Sequence, residues 1–521
     1  MSKKLLKSAA IVSSMTMISR ILGFVRDMVI ARIFGSSEAS DAFFVAFKIP
    51  NTLRRLFAEG AFSQAFVPVL TEYKENKSEK ALKELINQVA GTFGVVLLGL
   101  SLTGVIAAPA VILLFGPGFI NDPAKYELAV EMLRLTFPYL FFIAMTAFAG
   151  GILNSFGRFA IPAFTPVFLN IVFILMAIFL SPKLDEPIMA LAWAVFIAGA
   201  VQLLFQVPFL HKLNLLPRPK WGWKHPGVQK IKNLMIPAII GSSVVQINLI
   251  FDTVLASFLV TGSISWLYYS DRLVEFPLGL LGIAIATVIL PKLSKDQANT
   301  SVKTFSNTLD WALRCAILVG LPAAVGLIML AAPMLATLFY GGAFTPDDVF
   351  FSSLSLTAYA LGLMGFILIK VLAPGFYARQ DTQTPVKIGI KAMIANMVLN
   401  VLFVVPLYVM AFKGAHTGLA LATATSAYIN AWMLLQTLRK QGHYQPRSGW
   451  LRLIAQTSFA CLSMAAVLYW ASPAIETWLA WDTWTRASNL ALYVILGFIV
   501  YVIALGMSGV KLNPLIHNTQ L

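Results

Sequence analysis

The stretch SSMTMISRILGFVRDMVIARIFG, residues 13–35, decides the fold of this chain. It is long and apolar enough to cross a bilayer, which takes ~20 residues in a helix. Yet it carries Arg20, Arg26 and Asp27 in its middle. A charged side chain at the centre of a membrane costs ~2.5–3.5 kcal/mol on insertion scales. The stretch therefore predicts a membrane helix that lines a hydrated cavity inside the protein.

The rest of the chain repeats the apolar pattern. Of its 521 residues, 58% are hydrophobic and 12% are charged, and the mean hydropathy is +0.78. This composition predicts an all-α polytopic membrane protein and not a soluble domain. At ~20 residues per span, about fourteen transmembrane helices are expected. We place them at residues 8–34, 41–70, 87–116, 128–156, 161–181, 187–210, 230–260, 265–291, 305–340, 347–378, 384–411, 415–438, 450–471 and 487–509.

The basic residues fall in alternate loops. If the N-terminus is cytoplasmic, the lysines and arginines of the outside loops are Lys125, Lys183, Lys413 and Arg486, and the other loops are far more basic. Because cytoplasmic loops accumulate Lys and Arg, both termini are predicted to be cytoplasmic. The same rule accounts for the net charge of +16, so no nucleic-acid partner is expected.

A weak internal repeat divides the chain. FVPVLTEY, residues 66–73, and ILPKLSK, residues 289–295, close equivalent helices with a proline and a leucine before a basic loop. We therefore expect two pseudo-symmetric six-helix lobes of the same orientation, as in parallel-repeat transporters, followed by two extra helices. The predicted parts are an N-lobe at 1–210, a cytoplasmic basic linker at 211–229, a C-lobe at 230–440, and a C-terminal part with helices 13 and 14 and a tail at 441–521.

Two N-lobe helices carry the charges that predict a cavity. In the first, Ser19, Arg20 and Asp27 share one face, and partial unwinding at Gly23 would turn Arg26 inward as well. In the second, spacings of seven, seven and four residues predict a stripe of alternating sign that can change partners; it consists of Asp41, Lys48, Arg55 and Glu59, with Arg54 turned inward by Pro50. A static ion-pair network is the alternative for this stripe.

The eighth helix adds a second group of charges. Arg272 and Glu275 are three residues apart, Asp271 and Glu275 are four apart, and Ser265 lies two turns before Arg272. Since arginine presents a planar fork of donors to phosphate oxygens, Arg20, Arg26 and Arg272 could clamp a diphosphate. Lys370 in the tenth helix lines the same space in this interpretation, and packing is an equal alternative.

A second, fainter site is predicted from oxygen-bearing side chains. Asp252 in the seventh helix, Asn396 and Asn400 in the eleventh and Thr423 in the twelfth could hold a monovalent cation. Hydrogen bonds between helices are the alternative for these residues. No other cofactor is expected.

The sequence contains no motif that indicates an enzyme. There is no GxxxxGK[ST] phosphate-binding loop, all five histidines lie in loops or tails, and the two cysteines have no metal-ligand spacing. We therefore expect a transporter and not an enzyme.

Four long motifs resemble the MurJ (MviN) lipid II flippases of the MOP exporter superfamily. They are the opening stretch 13–35, DAFFVAFKIPNTLRRLFAEGAFSQAFVPVLTEY at 41–73, SWLYYSDRLVEFPLGLLGIAIATVILPKLSK at 265–295 and KVLAPGFYARQDTQTPVKI at 370–388. The resemblance extends over nearly the whole chain. It implies two six-helix lobes around a central cavity that opens alternately to each side of the bacterial inner membrane. The implied cargo is undecaprenyl-diphosphate-linked peptidoglycan precursor, and membrane lipids and the peptidoglycan synthesis machinery are the implied partners.

The resemblance also implies roles for single residues. The family's functional cavity charges fall on Arg20, Arg26, Asp41, Arg54, Glu59 and Arg272, beside Ser19, Asp27, Ser265 and Glu275. The family's cation site is matched only in part, because Asn400 stands where an acid is expected. Two alternatives remain open: a multidrug or cation antiporter, which would carry carboxylates and not arginines at the centre of the N-lobe, and a flippase for another polyprenyl-linked oligosaccharide.

Overall fold

The computed structural model describes residues 3–56, 62–279, 283–298 and 301–510. Over these ranges the chain is α-helical, and the only β-pairing in them is a single bridge between Gly341 and Phe344. The helices up to the long basic loop are α1 (Lys3–Phe34), α2 (Glu38–Arg54), α3 (Phe62–Asn76), α4 (Glu79–Ile106), α5 (Ala108–Phe115), α6 (Pro123–Thr136), α7 (Tyr139–Ser155), α8 (Ala160–Phe164), α9 (Pro166–Leu175) and α10 (Met189–Lys212).

The helices after the basic loop continue the same pattern. They are α11 (Pro226–Ala256), α12 (Ser263–Pro277), α13 (Ile283–Ala298), α14 (Val302–Met329), α15 (Ala331–Leu338), α16 (Pro346–Tyr377), α17 (Gln383–Val409), α18 (Thr417–Lys440), α19 (Trp450–Ala471), α20 (Ile475–Ala480) and α21 (Thr483–Met507). The predicted all-α polytopic fold is confirmed.

Ten helical segments of the described chain are long and apolar enough to cross a membrane. They coincide with the predicted spans 3 to 6 and 9 to 14. Of the four other predicted spans, the first, second and eighth are those whose charges predict a cavity. The seventh contributes the shorter apolar stretch Gln246–Ala256. The helices that make up the second and eighth spans are each shorter than 18 residues, too short to cross the membrane singly.

Several predicted spans are built from more than one helix. The second span is α2, which contains Pro50 and ends at Arg54, followed by α3 from Phe62. In the fifth span, α9 passes into a π-helical turn at Met176–Leu180. The first span differs from the expectation, because α1 runs as one helix through Gly23. An intact helix keeps all its backbone hydrogen bonds internal, which the membrane interior favours.

The chain separates into two compact units, Met1–Ser265 and Trp266–Leu521. The first unit includes α11, which the internal repeat assigns to the second lobe. Its core at one end of the helices combines apolar side chains of α3, α4, α7 and α11, with Phe62 stacked on Phe93 at 4.3 Å between ring centroids. The repeat-based lobe boundaries remain a prediction.

The two extra C-terminal helices pack on α14 within the second unit. Buried Asp310 of α14 accepts hydrogen bonds from the Tyr444 hydroxyl at 2.9 Å and the Trp450 indole nitrogen at 2.7 Å. Further along, the Tyr501 hydroxyl of α21 donates to the carbonyl oxygen of Leu318 at 2.6 Å. The Asp310 carboxylate also accepts from Arg314 Nε at 2.7 Å and from the backbone nitrogen of Arg447 at 3.3 Å, which fixes the start of α19 against α14.

Candidate functional site

Arg26 is buried inside the first unit with its charge fully engaged. Its Nε and Nη2 donate to Oδ1 of the adjacent Asp27 at 2.9 and 2.6 Å. Its Nη1 donates to Oδ1 of Asn170 at 3.2 Å, and its guanidinium lies 5.3 Å from the centre of the Phe173 ring. Pairing with a neighbouring carboxylate offsets part of the cost of burying both charges.

Asn170 connects α9 to α1 at this point. While its side-chain oxygen accepts from Arg26, its nitrogen donates to the backbone oxygen of Ser19 at 2.9 Å. Asn170 therefore fixes both the Arg26 guanidinium and the backbone of Ser19, about two turns earlier on α1. The sequence analysis missed this residue. The available signal was a single amide in an otherwise apolar fifth span, since polar groups inside membrane helices usually find a partner.

Arg20 contrasts with Arg26. It is exposed on α1, and within the described ranges its guanidinium has no hydrogen bond or ion pair. Ser19 is half-buried beside it. On α1 the exposed Arg20 thus contrasts with the buried and paired Arg26.

The second helix only partly forms the predicted stripe. Lys48 is half-buried, Arg54 donates from Nε to Asn51 Oδ1 at 3.0 Å, and Arg55 is exposed. Glu59 lies outside the described residues, so its predicted gating role stays a prediction. Asp41, at the start of the stripe, is engaged with other elements of the first unit.

Asp41 is the centre of a buried polar network. Its Oδ1 accepts from the backbone nitrogen and the hydroxyl of Ser265 at 3.0 and 2.7 Å. Its Oδ2 accepts from the backbone nitrogen of Gly262 at 2.8 Å and lies 3.4 Å from Nζ of Lys125. The carboxylate thus caps the first turn of α12, where unpaired N–H groups and the helix dipole favour an anion.

This network places two residues in surroundings that differ from those predicted from the sequence. Ser265, predicted to bind substrate, is fully buried and its hydroxyl donates to Asp41. Lys125, which the sequence places in an outside loop, is only 8% exposed, and its Nζ lies 4.5 Å from the centre of the Phe119 ring. In this structure Ser265 and Asp41 bind one another, which holds the start of α12 against α2 and α6.

The charges of the eighth span lie in the second unit. Arg272 donates from Nη1 to Glu275 Oε2 at 2.9 Å and from Nη2 to the Tyr268 hydroxyl at 3.3 Å. The Arg272 side chain keeps 34% of its surface exposed. Asp271 and Lys370 are exposed as well. Arg272 is thus held by Glu275 and Tyr268 while part of its side chain remains exposed.

Three of the four predicted cation ligands form a connected set in the second unit. Asn400 Nδ2 donates to Asn396 Oδ1 at 3.0 Å, and Asn396 Nδ2 lies 3.4 Å from Thr423 Oγ1 and 3.3 Å from Ser426 Oγ. Asp252 belongs to the first unit and is half-buried. The described residues contain no cluster of three or more His, Cys, Asp or Glu side chains.

Apolar spans with charges concentrated in a few helices are typical of polytopic membrane transporters. The fold agrees: the chain resembles a multidrug resistance MATE family transporter of the MOP superfamily in an inward-facing conformation, with a TM-score of 0.66 over 83% of this chain and 98% of that one, at 16% identity. A solved structure titled lipid II flippase MurJ, inward closed conformation, matches with a TM-score of 0.79 and 28% identity over 97% of this chain and 99% of that one.

The sequence comparisons define the family. The family model described as lipid II flippase MurJ matches residues 30–489. A probable lipid II flippase MurJ of Vibrio cholerae is 52% identical over 100% of this chain and 99% of its own length. A lipid II flippase MurJ of Burkholderia cenocepacia is 44% identical over 89% of this chain and 90% of its own length. The chain belongs to the MurJ family, and the predicted resemblance is confirmed.

The Asp41 network gives a testable stability prediction. Lys125→Met should lower the free energy of unfolding by about 1.5–3 kcal/mol, because the buried Asp41 carboxyl group loses its cationic neighbour. Chemical unfolding of the purified protein in detergent measures this change. Lys183→Met removes an exposed lysine from another outside loop and should leave stability unchanged. Equal stability of the two variants would show that the ion pair contributes nothing.

Proposed function

We propose that this protein is a lipid II flippase. It carries the undecaprenyl-diphosphate-linked peptidoglycan precursor from the cytoplasmic to the periplasmic leaflet by alternating access. The observation that carries the proposal is membership of the MurJ family along the whole chain, including relatives named lipid II flippase MurJ. The cationic side chains on membrane helices agree with it, because a diphosphate needs cationic partners once it leaves water.

We assign the diphosphate to Arg20, Arg26 and Arg272. Arg20 offers an exposed guanidinium without a protein partner in the described ranges, and Arg272 keeps a third of its surface open. Arg26 is oriented by Asp27 and Asn170, and it would bind cargo by exchanging one of these partners. The multidrug or cation antiporter is disfavoured because a cationic cargo needs carboxylates at this place. A flippase for another polyprenyl-linked oligosaccharide stays an alternative, because its cargo could bind the same arginines.

The remaining assignments follow from the function. We place the protein in the bacterial inner membrane as a multi-pass protein with both termini in the cytoplasm, in agreement with the distribution of basic loops. The transport step makes and breaks no covalent bond, so no enzyme activity is proposed. Lipid II and membrane lipids are the proposed partners, with the peptidoglycan synthesis machinery as a further protein partner.

The diphosphate assignment is tested by growth complementation. Alanine at Arg20, Arg26 or Arg272 should abolish growth of cells that depend on this protein, because each loses a charged hydrogen bond worth about 1.5–3 kcal/mol. Lysine at the same positions should restore growth only partly, since a point charge replaces the planar fork. Arg439→Ala, an exposed arginine at the end of α18, serves as the control for charge loss.

Membrane-inserted amounts must be matched by immunoblotting before growth is compared. Normal growth with all three alanine variants at matched levels would contradict the assignment of the diphosphate to these arginines.

We further propose that Asn396, Asn400 and Thr423, together with Asp252, hold a monovalent cation that is coupled to transport. Hydrogen bonds among these side chains of α17 and α18 bring their oxygen atoms close together, which supports the proposal. A bound ion stabilises the state that binds it, so sodium chloride should raise the thermal midpoint of the purified protein above that in choline chloride. Asn396→Ala should remove this difference. No sodium-specific shift in the parent protein would contradict the site.

A further inference from the structure

A segment of the long basic loop lies flat on the cytoplasmic end of α4. We call residues 216–225, LPRPKWGWKH, the strap. The backbone nitrogens of Arg218 and Lys220 donate to the side-chain and backbone oxygens of Asn87 at 2.7 and 3.0 Å. The backbone nitrogen of Gly222 donates to Thr92 Oγ1 at 2.9 Å. Three backbone hydrogen bonds to one helix make the strap a fixed part of the fold.

Glycines permit this close approach. A Cβ atom added to Gly91 of α4 would lie 2.2 Å from the backbone oxygen of Lys220. One added to Gly222 of the strap would lie 1.8 Å from the side chain of Gln88. Real Cβ atoms do not approach other atoms this closely, so both positions exclude larger residues while the strap is in place.

The strap, α3, α4 and α11 line an apolar cavity of about 120 Å³ that is partly open, since Val96 and Leu100 of its lining are exposed. Its walls include Val89, Phe93 and Leu97 of α4, Ile231 of α11 and Trp223 of the strap, and Lys232 of α11 lies at its edge. Cavities lined by apolar side chains bind apolar ligands. A cavity of this size accommodates a segment of one hydrocarbon chain.

The rim of the cavity is cationic and aromatic. Trp221 and Trp223 are exposed and stacked, with 6.1 Å between ring centroids and 10° between their planes. Nζ of Lys232 lies 5.3 Å from the centre of the Trp223 ring. Lys232 is half-buried and Lys224 is exposed, and within the described ranges neither forms an ion pair.

The neighbouring lysines already form ion pairs with glutamates of α3 and α4. Lys220 lies 3.1 Å from Glu84, and Lys230 is paired with Glu72. Lys232, which lines the cavity, and Lys224, next to Trp223 in the strap, therefore provide a local positive charge beside the apolar cavity. Tryptophans with lysines are typical of the membrane–water interface. By the orientation predicted from the basic loops, this interface is the cytoplasmic one, whose leaflet carries anionic lipids.

We propose that this cavity binds one anionic phospholipid of the cytoplasmic leaflet. Part of an acyl chain occupies the cavity between α4 and α11, and the phosphate of the headgroup binds Lys232 and Lys224 beside the strap. A phospholipid fits better than the polyprenyl cargo. A cargo must leave at every cycle, whereas the wall of this cavity is fixed by backbone hydrogen bonds, and the small volume suits a resident lipid.

The test measures phospholipid bound to the full-length protein. Parent protein and variants are purified in detergent, supplied with phosphatidylglycerol or phosphatidylcholine, and analysed by native mass spectrometry and by thermal unfolding. The parent should retain phosphatidylglycerol in preference to phosphatidylcholine and should gain thermal stability from it. The double variant Lys224→Gln/Lys232→Gln should bind phosphatidylglycerol on the order of tenfold more weakly, because two cationic partners are lost.

Two further variants separate the cavity from general surface charge. Val96→Phe introduces a bulky ring at the cavity wall, and it should reduce retention while both lysines remain. Lys230→Gln removes a lysine of the same helix that is already paired with Glu72, and it should bind lipid as the parent does.

Three results would overturn the proposal. Unchanged phosphatidylglycerol binding in both the lysine double variant and Val96→Phe would show that the lipid does not bind at this cavity. Loss in the lysine variant alone would show a surface charge effect without an acyl-chain site. Retention of an added polyprenyl phosphate in preference to phosphatidylglycerol, abolished by Val96→Phe, would assign the cavity to the cargo lipid.

Discussion

A charge inside a membrane helix must be either paired or hydrated, and this requirement organises the structure. Both cases occur on α1 of the first unit. Arg26 is buried and contacts Asp27, Asn170 and the Phe173 ring, whereas Arg20 is exposed. Pairing makes a buried arginine tolerable, and exposure keeps another available. The same contrast between fixed and available charge is what a carrier of an anionic headgroup needs.

The fixed charges also connect elements that are distant in sequence. Asp41 of α2 and Ser265 of α12 are 224 positions apart, yet their side chains share the shortest hydrogen bond of the Asp41 network, at 2.7 Å. The carboxylate caps the start of α12 and lies beside Lys125 in the first turn of α6. A change in the charge of Asp41 would therefore affect three elements at once.

Much of the fold was predictable because its signals are local. Span length, basic loops and the charged motifs need only neighbouring residues, and the all-α polytopic fold and the MurJ resemblance are both confirmed. The partners of the charges were not predictable, because they depend on packing between distant helices. Helical spacing placed Asp41 in a stripe with Lys48 and Arg55, but the folded chain brings Lys125 and Ser265 to it instead. Asn170 was missed for the same reason, because no feature of the sequence around it indicates that Arg26 is its partner.

The central claim is that this protein moves lipid II across the membrane with its cavity arginines. The most direct measurement is the accessibility of lipid II to a probe that reaches only the periplasmic leaflet, in cells depleted of the chromosomal protein. Cells supplied with the parent chain should expose lipid II to the probe, and cells supplied with Arg26→Ala at equal membrane levels should retain it in the cytoplasmic leaflet. Equal periplasmic exposure of lipid II in depleted, variant and parent cells would contradict the account.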